Sequence, residues 1–287
     1  MVSNGTMPVF TNTTHPPIED HFGDCLAKAQ VGQGVAVSDL TAACGASAEM
    51  LRRWKRGCLG VAERGLLSRA AEAVGLNARA LLALADGAVY PVVTPVEGLL
   101  GCNTPFGGDM TVNAYVVFDP ATREAVVFDS GTDAAPLLAI VAENRLAVTA
   151  VCLTHGHRDH VAALGALTAE TAGATVYAHP AENVTAAVPL EPGQPLGVGG
   201  LTVTPRLTAG HSPGGLTYVV AGLKRPIAVV GDAVFCGSVG GIRQAYRAAL
   251  AAIDEEILTL PPETLLCPGH GPVTTVAHER RINPFFA

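Results

Sequence analysis

Six consecutive residues restrict this chain more than anything else in it: His155-Gly156-His157-Arg158-Asp159-His160. With nine His and 11 Asp among 287 positions, the pattern His-x-His-x-Asp-His arises by chance in about three of 10,000 chains of this composition. An apolar run from Val148 to Leu153 leads into it, and a helical pattern from Val161 to Thr171 follows. Four donor side chains therefore leave the backbone where a strand end turns into a helix, and Gly156 lets the chain bend tightly there. Fanned out, they can surround two neighbouring points. Imidazole nitrogen and carboxylate oxygen are donors that suit zinc, iron or manganese.

Three more donors occur in matching surroundings. His211 lies in Thr208-Ala209-Gly210-His211-Ser212-Pro213-Gly214-Gly215, Asp232 ends the run Val229-Val230-Gly231-Asp232, and His270 lies in Cys267-Pro268-Gly269-His270-Gly271. Each follows a β-rich run and is flanked by glycine. One such histidine alone would ordinarily be a packing residue. After the first motif, all three read as further ligands. His179 before Pro180 reads instead as a surface or core residue, and Cys152 and Cys236, near the ligands in sequence, as buried packing.

With these residues in place, the stretch from Val89 to Ala287 resembles the metallo-beta-lactamase superfamily, in particular its glyoxalase II-like branch. The resemblance implies an α+β fold, a four-layer αβ/βα sandwich with its site at one edge of two facing sheets. Carried over by position, it implies one metal on His155, His157 and His211, a second on Asp159, His160 and His270, and Asp232 bridging them. Asp129, in Phe128-Asp129-Ser130-Gly131, matches a position that supports the site from behind. Two divalent ions are expected, zinc foremost, with iron or manganese as alternatives. Two such ions carry +4, from which Asp159, Asp232 and a bridging hydroxide remove three, leaving a positive field toward the substrate. The expected chemistry is hydrolysis of a thioester or related small ester or lactone by metal-bound hydroxide, with Asp159 and Asp232 as catalytic residues.

The resemblance has limits. Gly241 stands where the branch often has an Arg that binds a glutathione carboxylate, which weakens a glutathione substrate. The 17 residues after His270 leave no room for the C-terminal helical domain of glyoxalase II proper, and Glu279 to Phe286 resemble the ending of small glyoxalase-like hydrolases. A related branch with the same motifs uses one iron, at the positions of His155, His211 and Asp232, to oxidise glutathione persulfide. That is the first alternative.

Ahead of this region, residues 1–24 are polar and Pro-containing and read as a mobile arm in which His15 and His21 are solvated. Residues 25–88 read as a small all-α domain and 89–287 as the catalytic domain. Ser38 reads as the N-cap of one helix, Gly45 as the break after it, and Ser47 as the cap of a second with Met50, Leu51 and Trp54 on its apolar face. Further helices are expected near 62–73 and 78–85. This segment resembles a helix-turn-helix module of the lambda-repressor-like class, although Thr41 stands where that class usually has Ala. A metal- or ligand-sensing DNA-binding regulator is the second alternative. Cys25 to Asp86 carry eight Lys/Arg against five Asp/Glu, and the whole chain has a net charge of −7, which argues against nucleic acid as a partner. Helical packing, a homodimer contact, or a cap over the site are the other readings of these helices.

In the catalytic region strands are expected at 92–96, 112–118, 125–128, 148–153, 175–177, 201–204, 216–220, 227–230 and 265–266. Helices are expected at 134–145, 161–171 and 243–258. A hydrophobic fraction of 49% against 15% charged residues excludes a disordered chain. No apolar run is long enough to cross a bilayer, and no secretory signal opens the chain. Seven scattered Cys without a Cys-x-x-Cys pair point to reduced thiols and a cytoplasmic protein acting on a small-molecule substrate.

Overall fold

Two six-stranded sheets form the centre of the computed structural model, which describes residues 9–13, 16–87, 90–185 and 187–287. The first sheet runs β1 (Leu99–Pro105), β2 (Thr111–Phe118), β3 (Glu124–Phe128), β4 (Ala147–Cys152), β5 (Thr175–Ala178) and β6 (Val188–Pro189), in that order. Its first pairings are antiparallel, and from β3 to β6 they are parallel. The second sheet contains β7 (Leu196–Val198), β8 (Leu201–Leu207), β9 (Leu216–Ala221), β10 (Ile227–Gly231), β13 (Leu265–Pro268) and β14 (Thr274–Thr275), ordered β14-β13-β10-β9-β8-β7. A short ribbon, β11 (Val234–Phe235) with β12 (Ser238–Val239), stands apart.

Alternation along the strands builds the layers, because successive side chains face opposite sides of a sheet. Val126 and Phe128 join Tyr218, Val220 and Val229 in the core between the sheets, where the rings of Phe128 and Tyr218 lie 5.3 Å apart. Val127 and Val151 face outward and bury against Leu137 and Ile140 of α6 (Ala135–Glu143) and Leu167 of α8 (Leu164–Glu170). On the far side Ala228 and Val230 pack against Ala249 and Ile253 of α9 (Tyr246–Glu256). The result is the helix–sheet–sheet–helix stack expected from the sequence. Helices α7 (Arg158–Val161) and α10 (Val276–Ile282) complete this part.

Five helices precede the sandwich: α1 (Phe22–Gly32), α2 (Val37–Cys44), α3 (Ala48–Trp54), α4 (Arg64–Ala73) and α5 (Ala78–Ala85). Gly45 ends α2 at φ 76°, and the Ser47 hydroxyl caps α3 by accepting the Met50 N–H. Leu51 and Trp54 are buried as their spacing predicts. These helices do not keep a core to themselves. Phe22, Leu26, Ala29 and Leu84 share one apolar cluster with Val230, Val234, Tyr246 and Ile253.

Several expectations are corrected. Ser38 is not an N-cap: α2 begins one residue earlier, behind Ala36, without a side-chain cap. His21 is half-exposed, but it does not sit in a free arm. It caps α1, its Nδ1 accepting the Gly23 and Asp24 N–H groups. Nor is all of the arm detached, since Val9 and Phe10 are buried and Phe10 bridges Gly101 at the edge of β1. His15 and the 88/89 boundary lie outside the described residues. Residues 92–96 form no strand, because Pro91 and Pro95 remove ladder donors on both sides. All four edge strands of the two sheets, β1, β6, β7 and β14, lie outside the expected runs: three are only two or three residues long, and in β1 Gly101 and Asn103 blur any alternation. Among the described residues no helix is long and apolar enough to cross a membrane.

Candidate metal centre

All seven expected ligands meet at one edge of the sandwich, because the strands that carry them end there. His155, His157, Asp159 and His160 follow β4, His211 follows β8, Asp232 follows β10 and His270 follows β13. Parallel pairing of β3 with β4 and of β10 with β13 brings these ends together. Glycine makes the close approach feasible. A Cβ at Gly269 would lie 2.3 Å from Asp232 Oδ1 and 2.6 Å from His160 Cε1, so no larger residue fits before His270.

The donors sort into two triads. In the first, His155 Nε2 and His211 Nε2 lie 3.0 and 2.9 Å from His157 Nδ1. Around a cation with metal–nitrogen bonds of about 2.0–2.1 Å, tetrahedral donors sit roughly 3.3 Å apart, close to this spacing. In the second, His270 Nε2 and His160 Nε2 lie 3.2 and 3.6 Å from Asp159 Oδ2. Asp232 stands between them, its Oδ2 3.3 Å from His211 Nε2 and 3.4 Å from His270 Nε2, and its Oδ1 3.3 Å from His160 Nε2.

Outer partners decide which ring nitrogen faces inward. Asp129 Oδ2 holds His160 Nδ1 at 2.8 Å, and the carbonyls of Thr111 and Gly241 hold Nδ1 of His270 and His211 at 2.6 and 3.2 Å. The Thr154 hydroxyl lies 3.1 Å from His155 Nδ1 and donates to Asp129. Each of these rings is thereby turned with Nε2 toward the cluster. Asp129 itself sits at φ 58°, an uncommon left-handed conformation for a residue with a Cβ. Sequence reading picked out Asp129 but missed Thr154, Thr111 and Gly241. Backbone carbonyls carry no residue signature that could have revealed the last two.

Charge explains why these atoms need something between them. Burial drives the His155 imidazole down to about 2, so it stays neutral. Burial also opposes charge on His160 and His270, but the carboxylates of Asp129 and Asp232 around the former, and of Asp159 and Asp232 around the latter, outweigh it and raise them to about 10 and 11. Asp232 is held ionised well below the usual range, against its own burial, by His160 and His270. Even so, the buried His160 Nε2 and Asp232 Oδ1 find no hydrogen-bond partner. Ring nitrogens turned inward, two carboxylates held ionised and orphaned buried polar atoms are what a site for divalent cations presents.

The rest of the expected set lies as follows. His179 is no ligand, since its Nδ1 accepts the Ala181 N–H and caps the 3₁₀ turn Pro180–Glu182. Cys152 and Cys236 are buried. Gly241 is exposed with open space where a side chain would project, so the branch's Arg has room but is absent. Helices α1–α5 lie behind the second sheet, while residues 16–20 reach the site. A Cβ on Gly271 would be 3.5 Å from both Pro17 O and Glu19 N.

The metallo-beta-lactamase superfamily model matches residues 107–270, which contain every one of these donors. The chain belongs to this superfamily. Its members bind divalent metals. An uncharacterized protein of Mycobacterium leprae (strain TN) is 34% identical over 212 residues, covering 62% of this chain and 94% of that protein. A probable metallo-hydrolase, YqgX of Bacillus subtilis (strain 168), is 32% identical over 202 residues, covering 62% and 93%. The human mitochondrial persulfide dioxygenase ETHE1 is 29% identical over 178 residues, covering 59% and 69%. Among solved structures of the superfamily fold, the BLEG-1 B3 metallo-beta-lactamase aligns with a TM-score of 0.55 at 30% identity, covering 66% of this chain and all of that one. TTHA1623 in a di-iron-bound form aligns at 0.50 and 30%, covering 69% and 100%.

Proposed function

We propose that this protein is a dinuclear metallo-hydrolase of the glyoxalase II-like type that cleaves a thioester or a related small ester or lactone. The observation that carries the reading is the position of Asp232, whose carboxylate faces a complete three-donor set on either side. His155, His157 and His211 would hold one cation, Asp159, His160 and His270 the other, and Asp232 both. Bound there, two divalent cations (zinc foremost, iron or manganese as alternatives) would supply an acidified water and polarise the acyl carbonyl. The di-iron form of TTHA1623 supports two-metal occupancy of such a site.

The chain's own residues do the remaining work. Asp159, whose Oδ2 faces His270 and His160, would orient the attacking water and carry its proton. Asp232 and Asp159 would keep the site's charge low enough for the carboxylate product to depart, and the thiol or alcohol released from the acyl carbon would take up the proton that Asp159 carries. Gly241 offers no cation for a substrate carboxylate, so the acyl group rather than a glutathione moiety is what the site recognises. Seven cysteines without a disulfide support a reducing, cytoplasmic setting. The test is reconstitution with two equivalents of zinc or iron followed by a broad thioester, ester and lactone panel. Turnover of at least one class with two metals per chain is expected, and no turnover on any of them would overturn the reading.

The likeness to human persulfide dioxygenase favours one other reading, a single iron held by His155, His211 and Asp232. Oxygen uptake with glutathione persulfide at one metal per chain would put it in place of the first.

A further inference from the structure

Glu182 ends the 3₁₀ turn Pro180–Glu182 that follows β5, far in sequence from every residue of the cluster. Its carboxylate spans two loops. Oε2 accepts the Gly156 N–H at 2.7 Å, and Oε1 accepts the Gly214 N–H at 2.6 Å. Gly156 separates His155 from His157, and Gly214 lies three residues beyond His211. One side chain therefore ties together the two backbone segments that carry the whole first triad. Both contacts are short, as expected for N–H groups donating to an ionised carboxylate. The packing there leaves no slack. A Cβ on Gly156 would sit 2.9 Å from Glu182 O, and one on Gly214 would sit 2.5 Å from His179 Nδ1.

The second triad is assembled differently. Asp159 and His160 share the α7 turn, and the His270 loop is pinned by the Gly269 N–H to the Gly231 carbonyl at 2.9 Å and by the Thr111 carbonyl. Nothing in that set depends on Glu182.

We propose that Glu182 is a positioning residue that sets the distance between His211 and the His155–His157 pair, and so the affinity of the first cation site alone. This rests on the two-cation reading. A carboxylate is suited to the task because it has two acceptor oxygens and no donor, so it can receive both amides at once. The glutamine variant keeps one acceptor and turns a donor toward the other amide.

The experiment uses the full chain as Glu182→Ala and Glu182→Gln, titrated with zinc against a chelator. The expected result is that one of the two zinc equivalents weakens by about 10–100-fold in Glu182→Ala, with Glu182→Gln between it and the wild type and the other equivalent unchanged. In metal-free Glu182→Ala the Gly156 and Gly214 amides should exchange at least about tenfold faster, with the melting temperature held. Unchanged zinc affinity, equal weakening of both equivalents, or failure of both variants to fold overturns the proposal. A wild-type protein that binds no zinc sinks the two-cation reading instead. Amide exchange at the two glycines then decides the clamp by itself, and unaltered exchange overturns it.

Discussion

The edge of the sandwich that carries the histidines and the α2–α3 unit at the other end of the chain are both made of short pieces joined by tight turns. They differ in what fixes each residue. At the sandwich edge a nitrogen or oxygen must stand at a particular point, and an outer partner such as Asp129 or the Thr111 carbonyl must turn it there. In α2–α3 the demand is mostly for apolar volume. Leu40, Leu51 and Trp54 fill a core, Arg52 pairs with Glu49 at the surface, and the half-buried Glu63 accepts from Arg53 and from the Trp54 indole. Atom-level demands leave a signature that names a chemistry, whereas volume demands leave one that names only a helix.

The sharpest way to break this comparison is Asp232→Ala. Removing the carboxylate that faces both triads should reduce the metal content below two per chain and lower kcat/KM by on the order of a thousandfold or more. Stability should fall as well, because buried His160 and His270 lose a carboxylate that offsets their burial, so metal content is read per folded molecule. Metal analysis and kinetics on one preparation check it, and a variant with two metals and full activity would remove Asp232 from the mechanism.

The mirror-image substitution is Trp54→Ala. Trp54 is fully buried and its indole N–H donates to Glu63 at 2.9 Å. Truncation should cost about 3–5 kcal/mol of stability by leaving a cavity. Because the helices share one apolar cluster with Val230 and Tyr246, that loss should appear as a single cooperative transition of the whole protein. Two separate transitions in calorimetry would mean that the helices fold as an independent unit. Metal content per folded molecule should not move.

The same contrast governs what the sequence made legible. The seven donors that cluster, the strands that deliver them and the layered fold could be read ahead, because His-x-His-x-Asp-His, the glycines beside His211 and His270, and runs such as Val148–Leu153 each carry a local signal. Where a role depends on generic backbone or on a distant partner, reading failed. His21's capping role went unseen because the Gly23 and Asp24 amides it caps carry no residue signature. Glu182 carried no local signal, because Gly156 and Gly214 reach it only through the fold. Ser38 looked like a cap because its residue type is right, yet the helix starts before it. The family resemblance carried the division of ligands into two sets, since spacing alone does not say which donor faces which cation.

Asp129→Asn probes the next smaller effect. Asparagine has one acceptor oxygen, so it can keep either the Thr154 amide or the His160 Nδ1–H, and it turns an NH2 donor toward the other. The expectation is a drop of about 10–100-fold in metal affinity or activity, larger at the triad containing His160 than at the one containing His155, which Asp129 reaches only through the Thr154 hydroxyl. Equal loss at both triads would show that Asp129 supports the strand ends and not one imidazole.

The smallest effect lies where the two regions meet. Glu279 is fully buried on α10. It accepts the Gly237 N–H at 2.9 Å, the Thr274 hydroxyl at 2.7 Å and the Asn283 amide at 2.9 Å. The Cys25 thiol of α1 reaches the same turn, at the Gly237 carbonyl. Burial raises the Glu279 carboxyl from the usual 4.5 to about 7, more than those three hydrogen bonds lower it. The folded state therefore binds the proton more tightly than the unfolded chain. Its contribution to stability is complete below pH 4.5 and is lost as pH climbs through about 7. Between pH 5 and pH 8 the loss should be on the order of 2 kcal/mol. Glu279→Gln, which cannot ionise, should lack it. Denaturant melts of the metal-free proteins across that range are the measurement, and the two stability curves should converge toward acid and separate toward base. Parallel curves would mean that the carboxyl keeps its unfolded acidity despite burial, and that the seam between helices and sandwich tolerates the charge.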